Sequence, residues 1–241
     1  FFKQKTAYEI LTCDWSSDVC SSDLVCSDHG DMLGEKGLWF KMSPFDGSSR
    51  VPLMIAAPGL APASVDTPVS TIDINATLAD LVGIDLSEVA PWTDGQSLLP
   101  LARGGTREAP VYMEYAAEGS YAPLVTIRQG RWKFNHCELD PPQLFDLEAD
   151  PRECHNLATD PAHAETLAAF QAQMRERWDM QRFDAEVRES QAQRLVVYEA
   201  LRNGHYYPWD HQPLQDASQR YMRNHMDLNV LEEAQRFPRG E

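Results

Sequence analysis

The sequence predicts a mixed α/β fold, followed by a small antiparallel β-sheet subdomain with one covering helix and a tail of helices and loops. Three observations lead to this expectation. A short apolar run ends at residues 27–30, Ser-Asp-His-Gly, as a buried strand does at the carboxyl edge of an α/β sheet. A continuous apolar run over residues 51–57 stops at Pro58-Gly59 and is typical of a strand buried on both faces. Four short strand-like runs follow between residues 111 and 145.

The turn after the first predicted strand contains candidate metal ligands. Ligands of open α/β sheets bind at the carboxyl ends of strands, which is where Asp28 and His29 lie. Aspartate offers hard oxygens to Ca²⁺ or Mg²⁺, and neutral histidine adds a nitrogen. Lys41, thirteen residues beyond Asp28, could place a cation beside a bound oxyanion. The alternative is an ordinary polar turn with a solvated Asp-His pair and a solvated lysine.

A helix is predicted over residues 70–82, where apolar positions recur at helical spacing. Ser70 or Thr71 could cap its start, and Gly83 is placed to cap its end. We interpret Asp73, inside this helix, as a structural carboxylate rather than a ligand.

The next part of the chain predicts the small sheet, with a tight hairpin at Gly130. Its strands cover residues 111–115, 124–128, 132–136 and 143–145. A helix over residues 162–178 has an apolar stripe that is core rather than a cofactor site. The stripe consists of Leu167, Phe170, Met174 and Trp178. In the tail we expect a helix over 187–201, an aromatic loop over 204–211 and a short helix over 229–237.

Composition indicates a globular protein and argues against two classes of partner. The 241 residues are 43% hydrophobic, which suffices for one or two cores. No apolar run approaches the roughly 20 residues of a membrane helix, so no membrane partner is expected. A net charge of −16 argues against nucleic acid, because phosphate binding needs clustered Lys and Arg. The five scattered cysteines favour free thiols in a reducing compartment, so we expect a bacterial cytoplasmic location.

Four ordered blocks of sequence resemble the C-terminal half of type I sulfatases, of the alkaline phosphatase superfamily. The blocks are residues 27–30, 34–41 (Gly-Glu-Lys-Gly-Leu-Trp-Phe-Lys), 50–59 (Arg-Val-Pro-Leu-Met-Ile-Ala-Ala-Pro-Gly) and 143–157, which includes Leu-Phe-Asp-Leu-Glu-Ala-Asp-Pro-Arg-Glu and closes with Asn-Leu. Residues 39–42 and the tail over 185–238 further resemble choline-sulfatases. The resemblance covers residues 24–238 and implies the C-terminal part of an alkaline-phosphatase-like sulfatase sandwich. The implied domains are 25–108 (α/β), 109–184 (small sheet with helix) and 185–241 (tail).

The resemblance also implies roles for individual residues in hydrolysing a sulfate ester, choline sulfate in the choline-sulfatase subgroup. Asp28 matches a metal ligand, and the metal is usually Ca²⁺. His29 lies beside metal and substrate, although many relatives have Asn at this position. Lys41 matches the lysine that contacts the sulfate group. For the quaternary ammonium, the resemblance favours the carboxylate of Glu118 over that of Glu114, while either could be a surface charge.

Two features of the sequence depart from a complete sulfatase. Type I sulfatases form a formylglycine nucleophile from Cys in a Cys-x-Pro-Ser-Arg signature, and none of Cys13, Cys20, Cys26, Cys137 and Cys154 stands in one. We therefore expect formylglycine in an N-terminal half outside these residues, and no activity from the 241 residues alone. Residues 1–24 resemble translated sequencing-adapter read-through, and we expect them to be non-native. The alternative is a genuine strand or helix of an unusual homologue.

The tail over residues 185–238 is relevant to oligomerisation. Resemblance to choline-sulfatases implies that the tail reaches a neighbouring subunit near the substrate entrance, so a homo-oligomer is expected. The alternative is that the tail packs against its own subunit.

Two alternative functions are considered. One is a phosphoester or phosphonate hydrolase of the same superfamily, and the other is a non-catalytic binding module.

Overall fold

The computed structural model describes residues 22–117 and 119–204. Chain contacts divide it into two units, Phe1–Met180 and Gln181–Glu241, and each is described by itself. Glu118, the predicted aromatic loop after Gly204, the final short helix and residues 1–21 lie outside the described residues.

The first two strands form an antiparallel ribbon. β1 (Asp23–Cys26) pairs with β2 (Leu53–Ala56), so that Asp23 faces Ala56 and Cys26 faces Leu53. Both strands lie where the apolar runs predict them. The expectation that β1 is buried and that β2 is buried on both faces is wrong for this chain. β1 is only half-buried, and burial alternates along β2, with Met54 57% exposed. The alternation shows that one face of β2 is left uncovered by the described residues.

The long loop after β1 leads through a 3₁₀ turn (Glu35–Gly37) into a one-turn helix, α1 (Asp46–Ser49). After β2 comes the predicted helix, α2 (Asp73–Leu81), and Gly83 follows it with a positive φ of 74°. The predicted capping by Ser70 or Thr71 is wrong, because Ile72 is the N-cap and supplies no side-chain bond. Two further short helices complete this part, α3 (Leu86–Val89) and α4 (Leu99–Ala102).

Asp73 explains the unexpected start of α2. Its carboxylate is fully buried and accepts hydrogen bonds from the backbone N–H groups of Ser70 and Gln96, both at 2.9 Å. The guanidinium of Arg107 lies 2.8 Å from the same carboxylate. The interpretation of Asp73 as a structural carboxylate is confirmed, since it ties the start of α2 to the segments before α4 and β3.

The predicted antiparallel sheet is confirmed, with strands in the order β3-β4-β5-β6. The strands are β3 (Val111–Tyr115), β4 (Leu124–Gln129), β5 (Trp132–Cys137) and β6 (Asp140–Asp146). Gly130, with φ of 54°, forms the tight turn between β4 and β5. β6 begins three residues earlier than expected, because Cys137 and Asp140 still pair beyond an irregularity in the register.

A single helix covers this sheet. After a 3₁₀ turn (Pro161–His163), α5 (Ala164–Arg177) places Phe170 against Phe134 of β5, with ring centroids 5.9 Å apart. Phe170, Met174 and Trp178 are buried, so the predicted core stripe is confirmed at these positions. The core between helix and sheet is completed by side chains with no exposed surface: Val125, Ile127, Phe134 and Leu144.

The described part of the second unit is helical. α6 (Met180–Arg202) includes the predicted helix over 187–201 and begins seven residues before it. Its surface has ion pairs one turn apart, between Arg182 and Glu186 and between Arg188 and Asp184, each at 2.7 Å. Within residues 22–117 and 119–204, no helix combines the length and apolar character needed to cross a membrane.

Asp146, at the end of β6, makes the stability of the sheet depend on pH. Its carboxylate accepts a hydrogen bond from Nε of Arg131 at 2.7 Å, and from the N–H groups of Glu148 and Ala149. The bond from Arg131 is the main reason that the pKa of Asp146 lies below the ordinary 3.8. A carboxyl with a lowered folded-state pKa stabilises the fold above its unfolded-state pKa, and this contribution disappears as the pH falls through the folded-state value.

We expect Asp146→Asn to lower the free energy of unfolding at neutral pH, and to lower it less as the pH falls below 3.8. Urea unfolding of the 241-residue chain at pH 7 and about pH 3 measures this difference. Asp66→Asn, at an exposed position, is the matched control. An equal loss at both pH values would contradict the role of the ionised carboxylate.

Candidate metal and sulfate site

A glycine fixes the position of the segment with the candidate ligands. The N–H of Gly30 donates to the carbonyl oxygen of Ser48 in α1 at 2.8 Å. A Cβ on Gly30 would lie 2.2 Å from the carbonyl oxygen of Gly47, closer than any side chain permits. Only glycine therefore allows the turn after β1 to approach α1 so closely.

Asp28 and His29 form a pair at the surface. Asp28 Oδ1 accepts a hydrogen bond from the N–H of His29 at 2.9 Å, and this bond is the main reason that the pKa of Asp28 lies below its ordinary value. His29 Nδ1 lies 2.9 Å from the carbonyl oxygen of Gly30. Because a carbonyl can only accept, this contact assigns a proton to Nδ1. The other ring nitrogen, Nε2, lies 3.5 Å from Asp28 Oδ2.

This arrangement fits a metal cation. In the neutral imidazole with its proton on Nδ1, Nε2 presents a lone pair beside an ionised carboxylate that is 85% exposed. Two electron-pair donors side by side are the chemistry of a partial ligand set. Calcium takes six to eight ligands, and no group of three or more His, Cys, Asp or Glu converges within the described residues. Asp28 and His29 are thus a pair of donors that would need further ligands.

Lys41 reaches the same region through a folded loop. The loop doubles back on itself, because the N–H of Met32 donates to the carbonyl of Phe40 at 3.3 Å. The hydroxyl of Ser48 donates to the carbonyl of Lys41, and the carbonyl of Ser48 accepts from Gly30. One residue of α1 therefore binds the backbone of both segments. The Lys41 side chain is exposed, and its ammonium has no ion pair with any described residue.

Of the two candidate carboxylates for an ammonium group, the structure describes only Glu114. Glu114 Oε1 accepts a hydrogen bond of 2.6 Å from the indole N–H of Trp178. Trp178 packs edge-on against Tyr112, whose ring lies 4.0 Å from the guanidinium of Arg177. Glu114 is therefore engaged in the contact between β3 and α5. Glu118 lies outside the described residues, and its role stays a prediction.

Sequence reasoning missed a group of charged residues that supports the Lys41 loop. Lys133 of β5 is buried, and its ammonium lies 2.7 Å from Asp46 Oδ1 and 2.8 Å from Glu153 Oε1. Lys36 Nζ donates to the carbonyl oxygens of Arg152 and Glu153. The one available signal was the position of Lys133 inside a predicted strand, between Trp132 and Phe134.

Two family models match the chain. The C-terminal model of N-sulphoglucosamine sulphohydrolase matches residues 34–180, which is more than half of the chain. The chain belongs to the sulfatase family. The C-terminal model of the choline sulfatase enzyme matches residues 185–237. The expected family and the expected α/β fold class are therefore confirmed.

Curated relatives and solved structures agree with this assignment. The choline-sulfatase of Rhizobium meliloti (strain 1021) is 66% identical over 221 residues, which are 90% of this chain and 43% of the relative. Arylsulfatase K of Gallus gallus is 34% identical over 58% of this chain and 29% of its own length. The chain thus spans less than half the length of these relatives.

Among solved structures, the 2-O GAG sulfatase BT1596 matches with a TM-score of 0.57 and 31% identity, over 64% of this chain and 35% of its own. The phosphonate monoester hydrolase of Agrobacterium radiobacter matches with a TM-score of 0.52 and 29% identity, over 64% and 34%. Both TM-scores exceed 0.5 over 64% of this chain, so both structures support the same fold.

Proposed function

We propose that the chain supplies the metal- and sulfate-binding half of a choline-sulfatase, which hydrolyses choline sulfate to choline and sulfate. The observation that supports this most is the 66% identity to the Rhizobium meliloti choline-sulfatase over 90% of the chain. The match of residues 185–237 to the choline sulfatase C-terminal model supports the same subgroup.

In this proposal Asp28 and His29 hold a divalent cation, Ca²⁺, together with ligands from outside the described residues. The bound cation supplies positive charge beside a sulfate oxygen. The carboxylate of Asp28 is suited to this role because its lowered pKa keeps it ionised. The bond from His29 Nδ1 to the Gly30 carbonyl leaves Nε2 free to donate its lone pair.

Lys41 acts on the substrate directly. Its ammonium contacts the sulfate group and stabilises the charge on the sulfate oxygens and the leaving oxygen. This charge grows towards the transition state, so the interaction lowers the barrier more than it strengthens substrate binding. The nucleophile, a formylglycine, would come from chain outside these residues, and the 241 residues alone would not turn over substrate.

The trimethylammonium end of choline sulfate has no N–H, so it is recognised by aromatic faces and a nearby carboxylate. We assign the carboxylate to Glu118, in the loop between β3 and β4, because Glu114 is already bonded to Trp178. We further propose a homo-oligomer in a bacterial cytoplasm, with the tail over 185–241 reaching a neighbouring subunit.

The role of Lys41 can be tested in a chimera, in which residues 25–241 of this chain replace the matching segment of the Rhizobium meliloti choline-sulfatase. We expect Lys41→Met to lower kcat by roughly 10²–10³, the scale of losing one oxyanion donor. Arg103→Met, another exposed cation, is the control and should leave kcat unchanged. Faster hydrolysis of a phosphonate monoester than of choline sulfate by the chimera would instead favour a phosphonate hydrolase.

The role proposed for Asp28 as a metal ligand predicts a weaker response of activity to Ca²⁺ when its charge is removed. Asp28→Asn keeps the size of the side chain and removes its charge, so the Ca²⁺ concentration that restores half of the activity after chelation should rise at least ~10-fold. Asp31→Asn, an exposed carboxylate three residues away, serves as the control. If Asp28→Asn and Asp31→Asn need the same Ca²⁺ concentration, Asp28 is not a ligand.

The ammonium role predicts a change in selectivity. Glu118→Gln should lower kcat/KM for choline sulfate by about 10-fold or more, the scale of a desolvated contact to a cation, and leave a neutral aryl sulfate nearly unaffected. Parallel kinetics of the chimera on the two substrates measure this difference. An equal loss of kcat/KM on both substrates would contradict the assignment of Glu118 to the ammonium group.

A further inference from the structure

The charged residues around Glu153 form a closed group, which we call the Glu153 junction: Lys36, Asp46, Lys133 and Glu153. The Glu153 carboxylate is 2% exposed and Lys133 is 1% exposed. Glu153 Oε2 accepts the backbone N–H of Asp46 at 2.7 Å, while Oε1 lies 2.8 Å from the Lys133 ammonium. Lys133 also donates to Asp46 Oδ1 at 2.7 Å. The junction contains two cations and two anions, and the guanidinium of Arg128 in β4 also interacts electrostatically with Asp46 and Glu153.

Lys36 joins the junction from a different segment. Its ammonium donates to the carbonyl oxygens of Arg152 and Glu153, at 2.9 and 2.5 Å. The same ammonium lies 4.7 Å from the centre of the Phe45 ring, within the range of a cation–π contact. Unlike Lys133, Lys36 is otherwise exposed to solvent.

The positions of these contacts along the chain are the key observation. Lys36 lies five residues before Lys41, and Asp46 lies five residues after it. Both bind Glu153, which belongs to the loop that follows β6. The junction therefore fixes both ends of the segment that presents Lys41.

Backbone strain is concentrated at the same place. Of the described non-glycine residues, only three have positive φ angles: Leu33 at 49°, Lys36 at 54° and Glu153 at 54°. Such conformations persist only where surrounding contacts impose them, and they cluster at sites of function. Here two of them bond to each other, through Lys36 Nζ and the Glu153 carbonyl.

We propose that Lys36 and Glu153 are positioning residues for Lys41, which set the place of its ammonium by anchoring both ends of its loop. The inference rests on the sulfate-binding role proposed for Lys41. A long lysine side chain on an unanchored loop would sample many positions, and a displacement of about 1 Å can cost a large factor in rate. The competing explanation is that the junction only stabilises the fold.

A double-mutant cycle in the same chimera separates the two explanations. Lys36 is the residue to change, because removing Lys133 or Glu153 would leave a buried charge unpaired. In the chimera with Lys41 unchanged, we expect Lys36→Met to lower kcat about 10-fold. In the Lys41→Met background the same change should cost less than about 2-fold, since no ammonium remains to be positioned. Lys36→Arg, which keeps donors for the two carbonyls, should restore most of kcat.

The outcomes distinguish failure of the positioning role of Lys36 and Glu153 from failure of the sulfate-binding role of Lys41. Equal losses from Lys36→Met in both backgrounds, or no loss in either, would overturn the positioning role while the role of Lys41 stands. An unchanged kcat in the Lys41→Met single variant would overturn both. Glu35→Gln, an exposed charge in the same turn with no partner among the described residues, is the matched control.

A second measurement tests the anchoring in the 241-residue chain itself. Lys36→Met should speed hydrogen exchange at the N–H of Gly34 and of Ser43, which bond within the loop to Leu38 and Lys41. We expect at least ~10-fold faster exchange there and unchanged exchange in β4 and β5. Uniformly faster exchange would indicate general destabilisation and would contradict a local anchoring role.

Discussion

The arrangement of the candidate site depends on the contacts of one buried carboxylate, that of Glu153. Removing a charge from water is costly unless partners compensate it, and here the Lys133 ammonium and the N–H of Asp46 do so. Lys133 belongs to β5 and Asp46 begins α1, so pairing these charges ties the one-turn helix to the sheet. Through Ser48, α1 then holds both Gly30 and the Lys41 carbonyl.

This dependence gives a structural role to the segment after β6, none of whose side chains is a candidate for catalysis. Several polar residues there satisfy backbone N–H groups or a buried charge. Asp146 binds Arg131 and two backbone N–H groups, and Asp150 accepts from the N–H of His155 at 2.7 Å. Asn156 accepts from the N–H of Leu144, which extends the edge of the sheet. The segment connects the sheet to the site by contacts that need these residue types.

Sequence patterns predicted what local physics determines and missed what distant contacts determine. The strands of the small sheet and the turn at Gly130 follow from alternation and from the freedom of glycine at positive φ. The exposed face of β2 was mispredicted, because an apolar run does not reveal whether a second layer covers it. The cap of α2 was mispredicted because Asp73 bonds to distant Arg107 and Gln96. Lys133 was missed because its partner Asp46 lies 87 positions away in sequence. For the candidate site, the motif named Asp28, His29 and Lys41, while the bonds of Ser48 to the backbone of Gly30 and of Lys41 left no local signal.

The ion pairs of the Glu153 junction also bear on an apparent conflict between an acidic chain and an anionic substrate. The net charge of −16 is spread over the whole protein, and surface charges beyond about 8 Å are largely screened at physiological salt. Near the site, the Lys133 ammonium pairs with the carboxylates of both Asp46 and Glu153, which weakens their opposition to the field of Lys41. The Lys41 ammonium is exposed and has no ion pair among the described residues, so it is available to a sulfate group. An acidic surface and a local anion site are therefore compatible, because Lys133 pairs with the nearby carboxylates and Lys36 bonds to backbone carbonyls, while Lys41 stays exposed without an ion pair among the described residues.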